Sequence, residues 1–288
     1  MSTADHTAVP VVHDPGLPGG STVLATVDDK GIAWVYFNRP EKRNAMNPAL
    51  NVEMYEVLDA LERDDRAKVV VVTGVGTAWS AGMDLKEYFR ETDGKPRWVQ
   101  DKVRGQGTAW QHHQLLNYTK PTIAMVNGWC FGGAFVPLVS CDIAIAAEDA
   151  VFGISEVNWG VTPGNLVTRA LAEVMPTRDA MFYIMTGESF DGRKAAELRL
   201  VTEAVPREQL RARVIEIAGK LTSLSQWVLR GAKLGFRHAR LMSWEAAEDF
   251  LYAKHDQAIL FDEAARTQGI KGFLDDKSYR PGLGTYEH

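Results

Sequence analysis

Two short stretches of the chain place small residues between an apolar run and the start of a helix. The first is Trp79-Ser80-Ala81-Gly82-Met83-Asp84-Leu85, which follows the apolar run at 69–73. Helix N-termini leave N–H groups unpaired and carry the positive end of the peptide dipole, so such a turn suits a developing negative charge. The second is Asn127-Gly128-Trp129-Cys130-Phe131-Gly132-Gly133-Ala134, after the run at 122–126. Its paired glycines permit close backbone approach and positive φ. One N–H from each turn would form an oxyanion hole for a thioester oxygen becoming an enolate. A third stretch, Val151-Phe152-Gly153-Ile154-Ser155-Glu156-Val157-Asn158-Trp159-Gly160, sets one carboxylate among apolar residues. Burial there would raise its pKa toward the range useful for proton transfer. Taken singly, each stretch also reads as an ordinary feature: a capped helix, tight strand–helix packing, a cap or ion-pair partner.

The elements that must position these turns follow from periodicity. Alternating segments at 22–27 and 32–37, joined by Asp-Asp-Lys-Gly, read as a β-hairpin. Residues 48–63 show helical spacing through Leu50, Met54, Val57, Leu58 and Leu61. The continuous apolar run at 69–73 has the length of a strand buried on both faces. Helices are expected at 83–91, 98–116 and 132–140, with strands at 122–126 and 143–147. Beyond residue 165 the spacing predicts helices at 165–174, 177–186, 191–199, 207–222, 226–239 and 244–263, with one short strand near 201–205. Strands that alternate with helices imply a layered α/β architecture in which β-β-α units recur. The last ~65 residues are nearly all helix, suited to packing on a neighbouring subunit or on the chain's own core.

Composition narrows the function classes. Hydrophobic residues are 45% and charged residues 24% of 288, as in a globular protein with a substantial core. No apolar run approaches the ~18 to 20 residues of a membrane span. A net charge of −5 disfavours nucleic acid as main partner, because phosphate contacts need clustered Lys and Arg. Cys130 and Cys141 are the only cysteines and lack metal-site spacing, so two reduced, buried thiols are expected and no metal. Residues 1–21, with three prolines, three glycines and no apolar h-region or arginine, read as a loosely ordered extension and not as a targeting peptide. A cytoplasmic location follows by default. Dinucleotide-binding, P-loop and α/β-hydrolase signatures are absent from the sequence.

Over about residues 22–275 the order and spacing of these pieces resemble the enoyl-CoA hydratase (crotonase) superfamily. Asn38-Arg39-Pro40-Glu41-Lys42-Arg43-Asn44-Ala45-Met46 matches its N-R-P-x-x-x-N-A stretch, and 81–85 its A-G-x-D-L turn. Residues 127–134 match N-G-x-x-x-G-G-G, and 152–160, with Pro163-Gly164 after it, match F-x-x-x-E-x-x-x-G followed by P-G. The resemblance implies a spiral of β-β-α turns over 22–222 and a helical region at 223–288 that builds trimers, usually paired into hexamers. It places the oxyanion-hole amides on Met83 and Gly133 and makes Glu156 the acid/base. It assigns Lys42 and the backbone around Ala81, Asp84 and Leu85 to the coenzyme A moiety. Coenzyme A then enters only as part of the substrate, and no separate cofactor is expected.

One departure points to a subgroup. Hydratases of the superfamily carry a second catalytic Glu where this chain has Val136, so water addition must be assisted by the substrate. Residues 82–90, 127–135 and 249–254 resemble the hydroxycinnamoyl-CoA hydratase-lyases, in which Ser is expected at the position of Val136. That likeness implies hydration of 4-coumaroyl-, caffeoyl- or feruloyl-CoA, then cleavage to acetyl-CoA and a benzaldehyde such as vanillin. Tyr88, one helical turn and about 6 Å beyond the oxyanion turn, and Tyr252 in the last long helix would bind the ring 4-hydroxyl. Ser155 and Trp159 flank Glu156 and would line the pocket. Other readings stay open: a general enoyl-CoA hydratase or an enoyl-CoA isomerase of the same superfamily, and a catalytically silent relative that binds RNA or protein.

Overall fold

The computed structural model describes residues 11–164 and 166–278. The chain divides into two compact units, Met1–Leu221 and Thr222–His288.

In the first unit, β1 (Val23–Val27) and β2 (Ile32–Phe37) form the expected antiparallel hairpin. Helix α1 (Pro48–Arg63) begins where the Asn47 side chain accepts from the Leu50 N–H, and it buries Leu50, Met54, Val57, Leu58 and Leu61 at helical spacing. It returns the chain to β3 (Val69–Gly74), which runs parallel to β2 and is buried along its whole length. The strand β4 (Ala78–Ser80), a π-helix (Leu85–Arg90), α2 (Arg97–Thr108) and a second π-helix (Ala109–Gln114) follow. Then come β5 (Thr122–Val126), β6 (Trp129–Phe131), a 3-10 turn (Gly132–Ala134), α3 (Phe135–Ser140), β7 (Ile143–Ala147) and β8 (Val151–Gly153). After a 3-10 turn at Glu156–Trp159 the chain forms α4 (Val167–Val174), α5 (Thr177–Thr186), β9 (Ser189–Asp191), α6 (Gly192–Glu197), β10 (Glu203–Val205) and α7 (Arg207–Thr222). The helix expected at 165–174 starts at 167; Asn165 itself lies outside the described residues.

Among the described residues the strands form two sheets, a six-stranded one in the order β1-β2-β3-β5-β7-β10 and a four-stranded one in the order β4-β6-β8-β9. The larger sheet is parallel from β2 onward, and its Val- and Ala-rich strands fill the core from both faces. Each of β3, β5 and β7 is followed by a short strand of the second sheet and then by helix. This is the expected layered α/β spiral of β-β-α turns.

The second sheet is not visible in periodicity. Each of its strands has three residues, too few for alternation to register. Two helix expectations also change: 83–91 becomes a six-residue π-helix, and 98–116 breaks from α into π geometry at Ala109.

Residues 11–21 correct the expectation of a loose extension. Leu17 is buried, His13 accepts from the Ala25 N–H, and the Asp14 and Gly20 N–H groups donate to Ala25 and Val23. Paired backbone along β1 holds this segment although its composition is that of a loop. Residues 1–10 of the expected extension lie outside the described residues.

The second unit contains α8 (Gln226–Ala239), α9 (Trp244–Phe261) and α10 (Glu263–Leu274). Trp227 stacks on Phe261 at 4.2 Å, and His238 meets Phe250 edge-on at 6.1 Å, so α8 and α9 run antiparallel. The expected 244–263 helix ends at Phe261, where Asp262 caps α10 by accepting from the Ala265 N–H. Trp244, Leu260, Leu241 and Phe236 are all more than two-thirds exposed, and neither α9 nor α10 buries a residue. No described helix is long and apolar enough to cross a membrane.

Candidate active site

The chemistry-bearing turns leave three neighbouring parallel strands. β4 pairs with β6 and β6 with β8, and all three point the same way, so the chain leaves their C-terminal ends side by side. Beyond β4 lies Ala81-Gly82-Met83, beyond β6 Gly132-Gly133, and beyond β8 Ser155-Glu156. The small sheet thus gathers residues separated by more than seventy positions in sequence.

A latch built from the 38–46 loop holds the first turn. Asn44, fully buried, donates to the Val75 and Ala78 carbonyls at 3.0 and 2.7 Å and accepts from the Arg39 N–H at 2.9 Å. The Ala81 N–H donates to the Arg43 carbonyl, and Ser80 Oγ donates to the Asn44 carbonyl. Met46 then forms an isolated parallel bridge with Met83: its N–H donates to the Gly82 carbonyl at 2.7 Å, and its carbonyl accepts from the Asp84 N–H at 3.0 Å. Both groups flanking Met83 are therefore consumed on one side, and the Met83 N–H itself is left out of the bridge.

The Met83 nitrogen lies beside the second turn. A Cβ on Gly133 would lie 3.6 Å from the Met83 nitrogen and 2.8 Å from Met83 Cγ. A Cβ on Gly82 would lie 2.5 Å from the Phe131 carbonyl oxygen and 3.2 Å from the Gly133 nitrogen. Gly82 also has φ +86°, which side chains rarely adopt. The Gly133 N–H sits in the first turn of its 3-10 segment, where no carbonyl of that turn can reach it. The two amides are thus adjacent, as an oxyanion hole requires. Gly82→Ala is expected to push the turns apart, lowering kcat by about 10² together with Tm. Steady-state turnover and thermal unfolding of the purified variant measure both.

Glu156 closes the site from the third strand. A Cβ on Gly132 would meet Glu156 Oε1 at 3.0 Å, so the carboxylate lies directly against the glycine turn. Its Oε2 is buried with no hydrogen-bond partner among the described residues. Burial raises the Glu156 pKa, opposed by a bond from its own backbone N–H. A half-buried carboxyl with an unused oxygen beside two free amides can take a proton and return it.

The remaining expected residues divide. Asp84 turns inward: its Oδ1 accepts from the Lys86 and Glu87 N–H groups, and its Oδ2 pairs with Arg39 at 2.9 Å. Burial pushes its pKa up, but the bonds from the Glu87 N–H and from Arg39 outweigh that and hold it below the usual carboxylate range. Its side chain is committed to the fold, which leaves the backbone of this turn for ligand contact. Lys42, at the end of a 3-10 turn (Pro40–Lys42), is exposed next to Arg43, whose carbonyl holds Ala81, and Leu85 is 58% exposed.

Tyr88 is buried at 9% exposure on the Leu85–Arg90 helix; burial raises its hydroxyl pKa, partly offset by the charge of Arg104. It is therefore a protonated donor at neutral pH. Val136 is buried in α3, three residues past Gly133, and offers no polar atom to the turn. Ser155 is half-buried before Glu156, and Trp159 is 67% exposed. Tyr252 lies on α9 of the second unit with 64% of its surface exposed. Arg39, Asn44 and Met46 had no role assigned from sequence. Their signal was already in the N-R-P-x-x-x-N-A stretch, which held more polar residues than a simple turn needs.

Comparison with known proteins agrees with this geometry. The family profile described as enoyl-CoA hydratase/isomerase matches residues 28–280. The chain belongs to the enoyl-CoA hydratase/isomerase family. Among curated members it is 57% identical to the hydroxycinnamoyl-CoA hydratase-lyase of Pseudomonas fluorescens, over 92% of this chain and 96% of that one. It is 33% identical to a probable mitochondrial enoyl-CoA hydratase of Dictyostelium discoideum, over 73% of each. Among solved structures, the enoyl-CoA hydratase of Mycobacterium tuberculosis superposes with TM-score 0.76 at 27% identity, covering 90% of this chain and 98% of that one. The human enoyl-CoA hydratase domain-containing protein 3 gives 0.78 at 28%, covering 89% and 98%. In this fold the two glycine turns and the Glu156 carboxylate follow the three short parallel strands just described.

Proposed function

We propose that this chain hydrates the side-chain double bond of 4-hydroxycinnamoyl-CoA thioesters and then splits the adduct into acetyl-CoA and a 4-hydroxybenzaldehyde such as vanillin. It is a lyase on this reading, with coenzyme A present only as part of the substrate. The observation that carries it is the carboxylate set against the glycine turn: Glu156 lies against Gly132, while Val136, where the resemblance to the hydratases would place a second acid, is buried and apolar. The 57% identity to the Pseudomonas hydratase-lyase supports the same assignment.

The thioester oxygen accepts from the Met83 and Gly133 N–H groups, which favour the enolate over the neutral ground state. The phenolic oxygen of the substrate, held by Tyr88 and Tyr252, pushes electron density through the ring and the side-chain double bond toward the thioester, which leaves the β-carbon electrophilic, with quinone-methide character. Water adds there while Glu156 takes its proton, and the charge passes to the thioester oxygen. Glu156 returns that proton to the α-carbon, giving the β-hydroxyacyl thioester. Glu156 next removes the β-hydroxyl proton, and the α,β carbon–carbon bond breaks. The aldehyde leaves, the same two amides hold the acetyl-CoA enolate, and the Glu156 proton completes acetyl-CoA. Lys42 and the backbone at Ala81 and Leu85 bind the coenzyme A portion, and Ser155 and Trp159 line the approach to Glu156.

Incubation with feruloyl-CoA tests the whole reading. Loss of the conjugated thioester absorbance together with aldehyde formation is expected. A single carboxylate also suits migration of a double bond, so a 3-enoyl-CoA converted with no aldehyde released would assign an isomerase instead.

Tyr88→Phe and Tyr252→Phe are each expected to lower kcat on feruloyl-CoA about tenfold to a hundredfold, the usual worth of a hydrogen bond to a charged group. KM is expected to change little, because the bond strengthens as charge grows in the transition state. An effect on KM alone would make the tyrosines general binding residues. The uncovered apolar side chains of α8–α10 support assembly through the second unit, as a homotrimer or a pair of trimers.

A further inference from the structure

The Leu85–Arg90 helix is anchored by polar groups, not by burial. Tyr88 is its only buried residue, while Leu85 and Phe89 are 58% and 44% exposed. One apolar contact cannot fix both the position and the rotation of so short an element. Its fixed points are charged and run back to the 38–47 loop. Arg39, buried at 7% exposure, donates to Asp84 at the helix start at 2.9 Å, to Glu87 Oε1 at 2.6 Å and to the Ala45 carbonyl at 2.6 Å. The other Glu87 oxygen accepts from Asn47 Nδ2 at 2.6 Å. Asn47 cannot turn its amide over freely, since its Oδ1 caps α1 by accepting from the Leu50 N–H at 2.8 Å. Glu87 is therefore gripped by two donors of fixed orientation, in the residue immediately before Tyr88.

We propose that Arg39, Asn47 and Glu87 form a positioning clamp for Tyr88, and that selectivity for a ring 4-hydroxyl depends on it. This rests on reading Tyr88 as the partner of the substrate's phenolic oxygen. Charge-assisted hydrogen bonds of this kind are short and directional, so the clamp fixes where the phenol sits. A displacement of 1 Å at a reacting group costs on the order of 10² in rate.

Arg39 is a poor site for the test, because its removal leaves Asp84 buried and unpaired. Glu87 is 34% exposed at its side chain and tolerates change. In Glu87→Gln the new amide can still accept from Arg39, but its NH2 then faces the NH2 of Asn47. In Asn47→Asp the cap oxygen is kept, and two carboxylates face each other. The double variant Asn47→Asp/Glu87→Gln restores a donor–acceptor pair of reversed sense.

Each single change is expected to lower kcat on feruloyl-CoA about tenfold or more, with KM and the affinity for free coenzyme A held. The double variant is expected to recover to within about twofold of the parent, and in a Tyr88→Phe background Glu87→Gln is expected to cost less than about twofold. A double variant as slow as either single one would overturn the clamp, as would a Glu87→Gln loss that persists in full when Tyr88 is phenylalanine. Wild-type turnover in Tyr88→Phe alone would instead remove the assignment of Tyr88 on which the clamp depends. The three results are distinct in one set of steady-state measurements.

Discussion

Glu156→Gln is expected to abolish both hydration and cleavage, a loss of about 10² to 10⁴ in kcat, while the fold is kept. The replacement is near-isosteric and removes the Glu156 carboxylate that lies against the glycine turn. The same substitution is expected to raise stability near neutral pH. Burial lifts the folded-state pKa of Glu156 above its unfolded value, so the folded chain binds the extra proton. Stability therefore falls as pH rises from the unfolded to the folded pKa, and above that window the penalty of an ionised buried carboxylate is present in full. Glutamine has no such penalty. In the parent, kcat/KM is expected to fall as pH drops through the raised Glu156 pKa, an acid limb above the usual carboxylate range, because the carboxylate form takes the proton. Turnover, a pH–rate profile and thermal unfolding at two pH values check these together. Near wild-type turnover in the variant would remove Glu156 from the mechanism, and equal Tm values at neutral pH would contradict its buried, unpartnered oxygen.

Turnover of 4-coumaroyl- or feruloyl-CoA is expected to exceed that of cinnamoyl-, 4-methoxycinnamoyl- or crotonyl-CoA by about 10² or more, the range in which a missing acid/base is felt. A hydratase with two carboxylates can orient water onto crotonyl-CoA, whose β-carbon has no electron donor beyond the double bond. Val136, where the resemblance would place that second carboxylate, is buried and apolar, so on the proposed reading water gains nothing from it. Activation then comes from a para-oxygen able to ionise, with a protonated Tyr88 as a donor to it. Val136→Ser is expected to be tolerated and to raise the rate, since a hydroxyl can hold water where a methyl cannot. The measurement is kcat/KM across these substrates. Comparable values for crotonyl-CoA and feruloyl-CoA would return the chain to the general hydratases.

Most of the large sheet was legible in the amino-acid order, and the reason is length. Runs such as 69–73, 122–126 and 143–147 are five residues long and apolar but for a threonine at one end of the first two, and helices such as 48–63 and 207–222 hold a 3.6-residue spacing over four turns. The site turns were legible as turns too, because glycines between an apolar run and a helix start mark a tight change of direction. Their meaning came from resemblance, not from spacing, since each turn alone also reads as a plain cap.

Amino-acid order alone marks the candidates for the chemistry: two glycine-rich turns and one isolated glutamate, with the resemblance adding a valine where an acid would otherwise stand. Tertiary structure alone decided how they meet. The sheet β4-β6-β8, built of three-residue strands, is too short to show in periodicity, yet it sets the three turns side by side. The resemblance assigned only the backbone at Asp84 to a ligand; that its carboxylate turns onto Arg39, forty-five positions earlier, was decided by the fold. The grip of Arg39 and Asn47 on Glu87 was likewise invisible, because a hydrogen bond between distant side chains leaves no periodic trace. Local pattern records what each segment does with water; pairing between segments is settled only when burial forces every polar group to find its partner.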